Sequence, residues 1–150
     1  MDVILIAAVT ANGMVAHHSE EVISWSKDLK LFREQTMGQT VILGSGTAKT
    51  LVTDLDGREV VVVHRDTDPG DVIKQIRTEK CFVMGGPRTY TRFAPHLTHI
   101  YLTYHSLIFS SDSLPLFYRL QNDLILKFED KIEVDASEGI YQFQYRVDHT

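Results

Sequence analysis

Lys80-Cys-Phe-Val-Met-Gly-Gly-Pro-Arg-Thr-Tyr-Thr-Arg-Phe93 says more about architecture than any other stretch of this chain. The run Cys81 to Met84 is short and wholly apolar, the pattern of a strand covered on both faces. Gly85-Gly86 ends it. Pro87 follows, suited to the first turn of a helix because its missing N–H has no intrahelical partner there. Tyr90 and Phe93 then fall three apart on one helical face. A strand that ends in paired glycines and opens directly into a helix brings backbone amides close to a phosphate. The helix N-terminus favours the anion, and Arg88 adds a full charge. On these residues alone two readings stand: a tight structural turn, or the seat of a dinucleotide's pyrophosphate.

Outward from this stretch, strands alternate with helices. Val3 to Val9 is a continuous apolar run, a second centrally buried strand, closed by the turn Asn12-Gly13 before Met14-Val15-Ala16 resumes briefly. Ser26 is an N-cap candidate, with Asp28 in the first turn and Leu29, Phe32 and Thr36 on one face. An acid beside an apolar wall is also how a carboxylate binds a cationic or amidine-like ring. Thr40 to Leu43 reads as a strand, followed by Gly44-Ser-Gly-Thr47, with Thr47 as cap of a short helix through Leu51. Val60 to Val63 reads as a further buried strand, followed by His64-Arg65, and Pro69-Gly70-Asp71 opens a helix with Val72, Ile73 and Ile76 inward. His99 to Tyr104 is the next strand. Leu124 to Val134 and Ile140 to Val147 alternate around Glu138-Gly139, an antiparallel hairpin at the sheet edge. The expectation is a mostly parallel α/β sheet with helices on both faces and an antiparallel tail. Asp28, Gly44 to Thr47, His64-Arg65 and Gly85 to Arg88 all follow strands, where such sheets bind ligands.

Composition narrows the function classes. The chain has 150 residues, 43% apolar and 23% charged, which predicts one globular domain over 1–150. A net charge of −5 gives no basic footprint for nucleic acid. The single cysteine, Cys81, excludes an internal disulfide and predicts an inert, buried thiol in a reducing compartment. The run at Val3 to Val9 is too short and wrongly flanked for a signal peptide or membrane span, so the expected location is cytoplasmic. His17-His18 lies in a polar stretch with no third ligand at helical spacing, and no metal site is expected.

The ordered set Ile6-Ala-Ala-Val9, Trp25, Asp28-Leu29, Phe32, Thr36, Val41-Ile-Leu-Gly44, Thr47, Gly57-Arg58, Met84-Gly85-Gly86, Arg88, Tyr90 and Tyr101-Leu-Thr103 resembles the dihydrofolate reductases over essentially the whole chain. It also resembles the related reductase domain of riboflavin biosynthesis. The resemblance implies an NADPH-dependent reductase of dihydrofolate with a single-domain fold of that family. By it, Asp28 would hydrogen-bond the pteridine's amino group and ring nitrogen, Thr103 would support that carboxylate, and Trp25 would stand at the reacting centre. Ile6, Leu29, Phe32 and Leu51 would line the ring pocket, and Arg58 would pair with the substrate's glutamate carboxylate. Ala8, Val15, Ala16 and Tyr90 would lie along the nicotinamide. Ser45, Gly46, Thr47, Met84, Gly85, Gly86, Pro87, Arg88 and Thr89 would hold the phosphates, with His64 and Arg65 at the adenosine end. The stretch from Asn12 to Ser24 would be a loop closing over the nicotinamide.

Departures from the family pattern keep other functions in view. Ser45 stands where a basic residue for the 2′-phosphate is usual, which leaves that task to Arg65. Ser24 replaces the usual Pro before Trp25, only two residues separate Trp25 from Asp28, and Ala16 replaces a usual Gly. Gly85-Gly86-Pro87 and Asn12 to Ala16 look more like the riboflavin-pathway reductase. The alternatives are a ribosylaminopyrimidine phosphate or another pterin as substrate, or a nucleotide-binding protein without catalysis. The expected partners are small molecules, with the protein a monomer or homodimer.

Overall fold

In the computed structural model, which describes residues 1–51 and 54–149, the two runs Val3 to Val9 and Cys81 to Met84 lie side by side at the centre of one sheet. They are β1 (Asp2–Thr10) and β5 (Lys80–Val83), paired in parallel from Asp2↔Lys80 to Leu5↔Val83. The chain between them contributes β2 (Met14–Ala16), α1 (Leu29–Thr36), β3 (Thr40–Gly44), α2 (Ser45–Thr50), β4 (Glu59–Val63) and α3 (Pro69–Gln75). After β5 come α4 (Pro87–Phe93), β6 (His99–His105), β7 (Leu114–Pro115), β8 (Ile125–Asp135) and β9 (Ile140–Asp148). The sheet order is β4-β3-β5-β1-β6-β9-β8. The first five strands are parallel, and β9 and β8 join antiparallel, as the alternating C-terminal pattern predicts. β2 and β7 form a small separate antiparallel pair.

Side-chain alternation along each strand sorts the core into two layers. Val3, Leu5, Ala7, Val9, Ile42, Cys81 and Val83 face one way, against Tyr90 and Phe93 of α4 and the apolar side of α3. Ile4, Ile6, Val41 and Phe82 face the other way, against Phe32 of α1. Cys81 is fully buried, and burial pushes its thiol up to about 12, which leaves it inert.

Three local expectations need correction. Helix α1 starts at Leu29 rather than just after Ser26, because the Lys27 amide is engaged by His105 and the chain stays non-helical up to the N-cap position, Asp28. Helix α2 starts at Ser45 with Gly44 at the N-cap, so Thr47 lies inside it and Leu51 ends it. β4 is a strand but not a buried one: it has a single neighbour at the sheet edge, and Val60 and Val62 are exposed. A run of valines signals extended backbone; burial depends on the position in the sheet.

Candidate active site

Successive connections leave β1 and β5 toward opposite faces, with α1 on one side and α4 on the other. In sheets of this kind ligands bind in the crevice beyond the carboxyl ends of such strands.

On the α1 side stands Asp28. Its carbonyl accepts the first helical hydrogen bond, from Phe32 N at 2.9 Å, yet its carboxylate caps none of the helix amides. The side chain turns instead toward the sheet, where it is 8% exposed. Burial raises its pKa above the ordinary aspartate value, and the hydrogen bond from the Thr103 hydroxyl offsets this only in part. Thr103 itself is fully buried in β6, and its Oγ1 has no partner at strict hydrogen-bond geometry among the described residues. From the α4 side, Tyr90 reaches through to β1 and donates its hydroxyl to the Ile6 carbonyl at 2.8 Å. Complete burial raises the pKa of that phenol far above the usual range, and the nearby Asp28 charge adds to the shift.

Trp25 approaches from the loop before α1. Its ring meets His105 edge-on at 5.2 Å and Phe109 at 5.3 Å, and its buried Nε1 is likewise unpartnered among the described residues. Phe109 stacks on His17 at 3.8 Å, which fastens the stretch after β2 over this corner. Val15 packs on the core and Ala16 is buried in β2. Among the described residues, no group of three or more His, Cys, Asp or Glu side chains is placed to hold a metal.

The two glycine segments meet at the other end of the crevice. Gly44 N donates to the Gly85 carbonyl at 2.9 Å, so the starts of α2 and α4 lie together. A Cβ on Gly44 would come within 2.7 Å of Thr89 Oγ1, and one on Gly86 within 3.4 Å of Thr47 Oγ1. Gly85 has φ +134°, a conformation that side-chain-bearing residues avoid, and the Gly85-Gly86 peptide is cis. Around Gly46 the space is open. Two helix N-termini with hydroxyls and close-packed glycines fit the phosphates of a dinucleotide.

Not every expected residue points into the crevice. Arg58 donates through Nε to Thr36 Oγ1 at 2.9 Å and through its terminal nitrogens to the carbonyls of Asp56 and Arg33. It is anchored at the far end of α1. Leu29 is on the exposed rim, next to a groove of about 510 Å³ that it shares with Lys30, Arg33, Glu34 and Met37. Leu51 borders residues 52 and 53, which lie outside the described residues. His64 and Arg65 are exposed after β4, and Arg92 ties that turn to α4 through the carbonyls of His64 and Thr67. Arg88 lies over the Tyr118 ring, 5.8 Å from its centroid. Sequence reasoning missed Arg92, Phe109 and His105. His105 had a signal, since it falls two residues after Thr103 and so shares its face of β6.

Fold and site define the class: an α/β protein with two glycine-bordered helix starts and a buried carboxyl beyond the ends of its central parallel strands. The model of the family described as dihydrofolate reductase matches residues 2–145. The chain belongs to the dihydrofolate reductase family, whose members are NADPH-dependent oxidoreductases. Among its relatives, dihydrofolate reductase type 3 of Salmonella typhimurium is 30% identical over 114 residues, spanning 67% of this chain and 69% of the relative. Dihydrofolate reductase type 8 of Escherichia coli is 27% identical over 131 residues, spanning 72% and 76%. A solved structure of dihydrofolate reductase from Enterococcus faecalis, complexed with NADP(H) and RAB-propyl, superposes with a TM-score of 0.73. It covers 98% of this chain and 96% of its own, at 16% identity. Among the described residues, no helix is long and apolar enough to cross a membrane.

Proposed function

We propose that this chain reduces 7,8-dihydrofolate to 5,6,7,8-tetrahydrofolate at the expense of NADPH, with Asp28 as the residue that holds and orients the pteridine. One observation carries the reading. A carboxyl at a helix N-cap that caps none of the helix amides, buried against the Thr103 hydroxyl, keeps bonding capacity that suits an amino group and ring N–H.

The ionised Asp28 accepts hydrogen bonds from the pteridine's amino group and ring nitrogen, and Thr103 fixes the carboxylate from β6. A proton from solvent reaches the ring nitrogen on this side, assisted by the carboxyl, whose pKa burial raises. Ile6, Leu29, Phe32 and Leu51 would line the ring pocket, and Arg58 would pair with the substrate's glutamate carboxylate. NADPH, when bound, supplies the hydride. Ser45, Gly46, Thr47 and the run Met84 to Thr89 would hold its phosphates, and Ala8, Val15, Ala16 and Tyr90 its nicotinamide. His64 and Arg65 would meet its adenosine end, with Arg65 as the selector for the 2′-phosphate. Trp25 closes the reacting end. We take the protein as cytoplasmic, one domain, monomer or homodimer, and without nucleic-acid partners.

The test is NADPH oxidation by the purified protein with and without dihydrofolate, repeated with a diaminopyrimidine antifolate. Dihydrofolate-dependent oxidation that the drug blocks is the expected result. NADPH binding without it, but with oxidation on a ribosylaminopyrimidine phosphate, would overturn the choice of substrate.

A further inference from the structure

His105 is a buried titratable side chain to which the scheme above gives no role. Its ring joins two backbone points. Nε2 faces the amide of Lys27 at 2.9 Å, and Nδ1 faces the carbonyl of Thr103 at 2.9 Å. A backbone N–H can only donate, so Nε2 must be the acceptor and Nδ1 must carry the proton. Only the neutral ring in this one tautomer makes both bonds. Lys27 immediately precedes Asp28, and Thr103 is the residue that faces Asp28 from the sheet. The edge-on ring of Trp25 braces the imidazole from the loop side. The Lys27 ammonium is directed to Glu138, at 3.8 Å.

We propose that His105 is a positioning residue for the reaction: it clamps the peptide before Asp28 to the strand that carries Thr103, and so sets the carboxylate against its ligand. The clamp also accounts for the late start of α1, since the Lys27 amide is drawn to the imidazole instead of a helical turn. This inference rests on the reading of Asp28 given above.

Two substitutions separate the two bonds. In His105→Gln the side-chain oxygen can take the place of Nε2 and still accept from Lys27. In His105→Asn the amide nitrogen takes the place of Nδ1, keeps the Thr103 bond and releases Lys27. With both proteins folded by circular dichroism, three quantities are read: hydrogen exchange at the Lys27 amide, the titration of the Asp28 carboxyl by ¹³C NMR, and kcat against pH. H105N is expected to expose the Lys27 amide, shift the Asp28 midpoint and the matching limb of the kcat profile, and lose about tenfold in kcat. Its KM for NADPH should stay near wild type, and H105Q should restore most of each loss. Free exchange at Lys27 in H105N with Asp28 midpoint and kcat unchanged would overturn the proposal. If the wild type reduces no dihydrofolate, the functional reading fails, while the exchange and titration data still decide whether His105 positions Asp28.

Discussion

Helix α1 brings two polar side chains down onto the same face of the sheet, and they are finished differently. Gln35 meets Gln142 of β9 in a reciprocal pair, each amide nitrogen donating to the other's oxygen, at 2.7 and 3.0 Å. About two turns earlier, Asp28 meets Thr103, which lies directly opposite Gln142 in the β6–β9 ladder. There the carboxyl leaves the helix amides uncapped and the hydroxyl has no strict partner among the described residues. Burial is comparable at Gln142 and Thr103, so depth does not separate the pairs. Completion does. The glutamine pair, with Gln144 Nε2 also donating to Gln142 Oε1 at 3.1 Å, is satisfied within the protein and ties the helix to the sheet. The acid pair is left with bonding capacity that a ligand can use, at a cost in stability that the protein retains.

The largest effect should follow from removing the open charge. Asp28→Asn is expected to lower dihydrofolate turnover at neutral pH by at least about a hundredfold. Activity should recover in part toward acid pH, and NADPH affinity should hold, as steady-state kinetics and cofactor titration will show. Stability should move the opposite way. Burial raises the folded pKa of Asp28 above 3.8, so its contribution is greatest below that value and is lost as pH rises through the raised midpoint. Asp28→Asn, which loses no cap bond, should therefore melt at or above wild type near neutrality, with the gap narrowing in acid.

Next comes the other end of the crevice. Gly85→Ala puts a side chain at φ +134°, with ordinary 3.6 Å contacts to Thr47 and Tyr90, so backbone strain rather than collision dominates. An NADPH affinity lower by about tenfold and a fold weaker by about 1–2 kcal/mol are expected by calorimetry and urea melts. Thr103→Val should cost about tenfold in kcat/KM for dihydrofolate. The hydroxyl lowers the Asp28 pKa, so its loss should move the corresponding limb of the pH profile upward. The smallest effect on catalysis belongs to the closed pair. Gln142→Ala strands Gln35 and should destabilise by about 1–3 kcal/mol while turnover per folded molecule is unchanged. A large kinetic defect in that variant would erase the contrast between the pairs.

Much of this was readable in the residues. The two-face apolar runs at Val3 to Val9 and Cys81 to Met84 identify the central strands because only buried parallel strands tolerate unbroken apolarity. The paired glycines announce α4, and the alternating tail announces β8 and β9. Less legible was anything set by neighbours distant in sequence. Val60 to Val63 carries the composition of a core strand and lies at an edge. Ser26 is a good cap that the chain does not use, since His105, 79 positions beyond it in the chain by the numbering, holds the intervening amide. The family resemblance alone assigns Arg58 to the substrate; its contacts to Thr36, Asp56 and Arg33 hold it at the far end of α1 without placing it on a ligand. Local pattern gives element type; whether a polar group is open or closed depends on tertiary partners.

The most direct test is the ¹³C titration of the Asp28 carboxyl in the ligand-free wild-type protein. A buried acid left open for a ligand titrates above 3.8, the ordinary aspartate value, and that is the predicted result. A midpoint at or below 3.8 would mean that the protein already satisfies the charge, and Asp28 would then be a structural residue like Gln142.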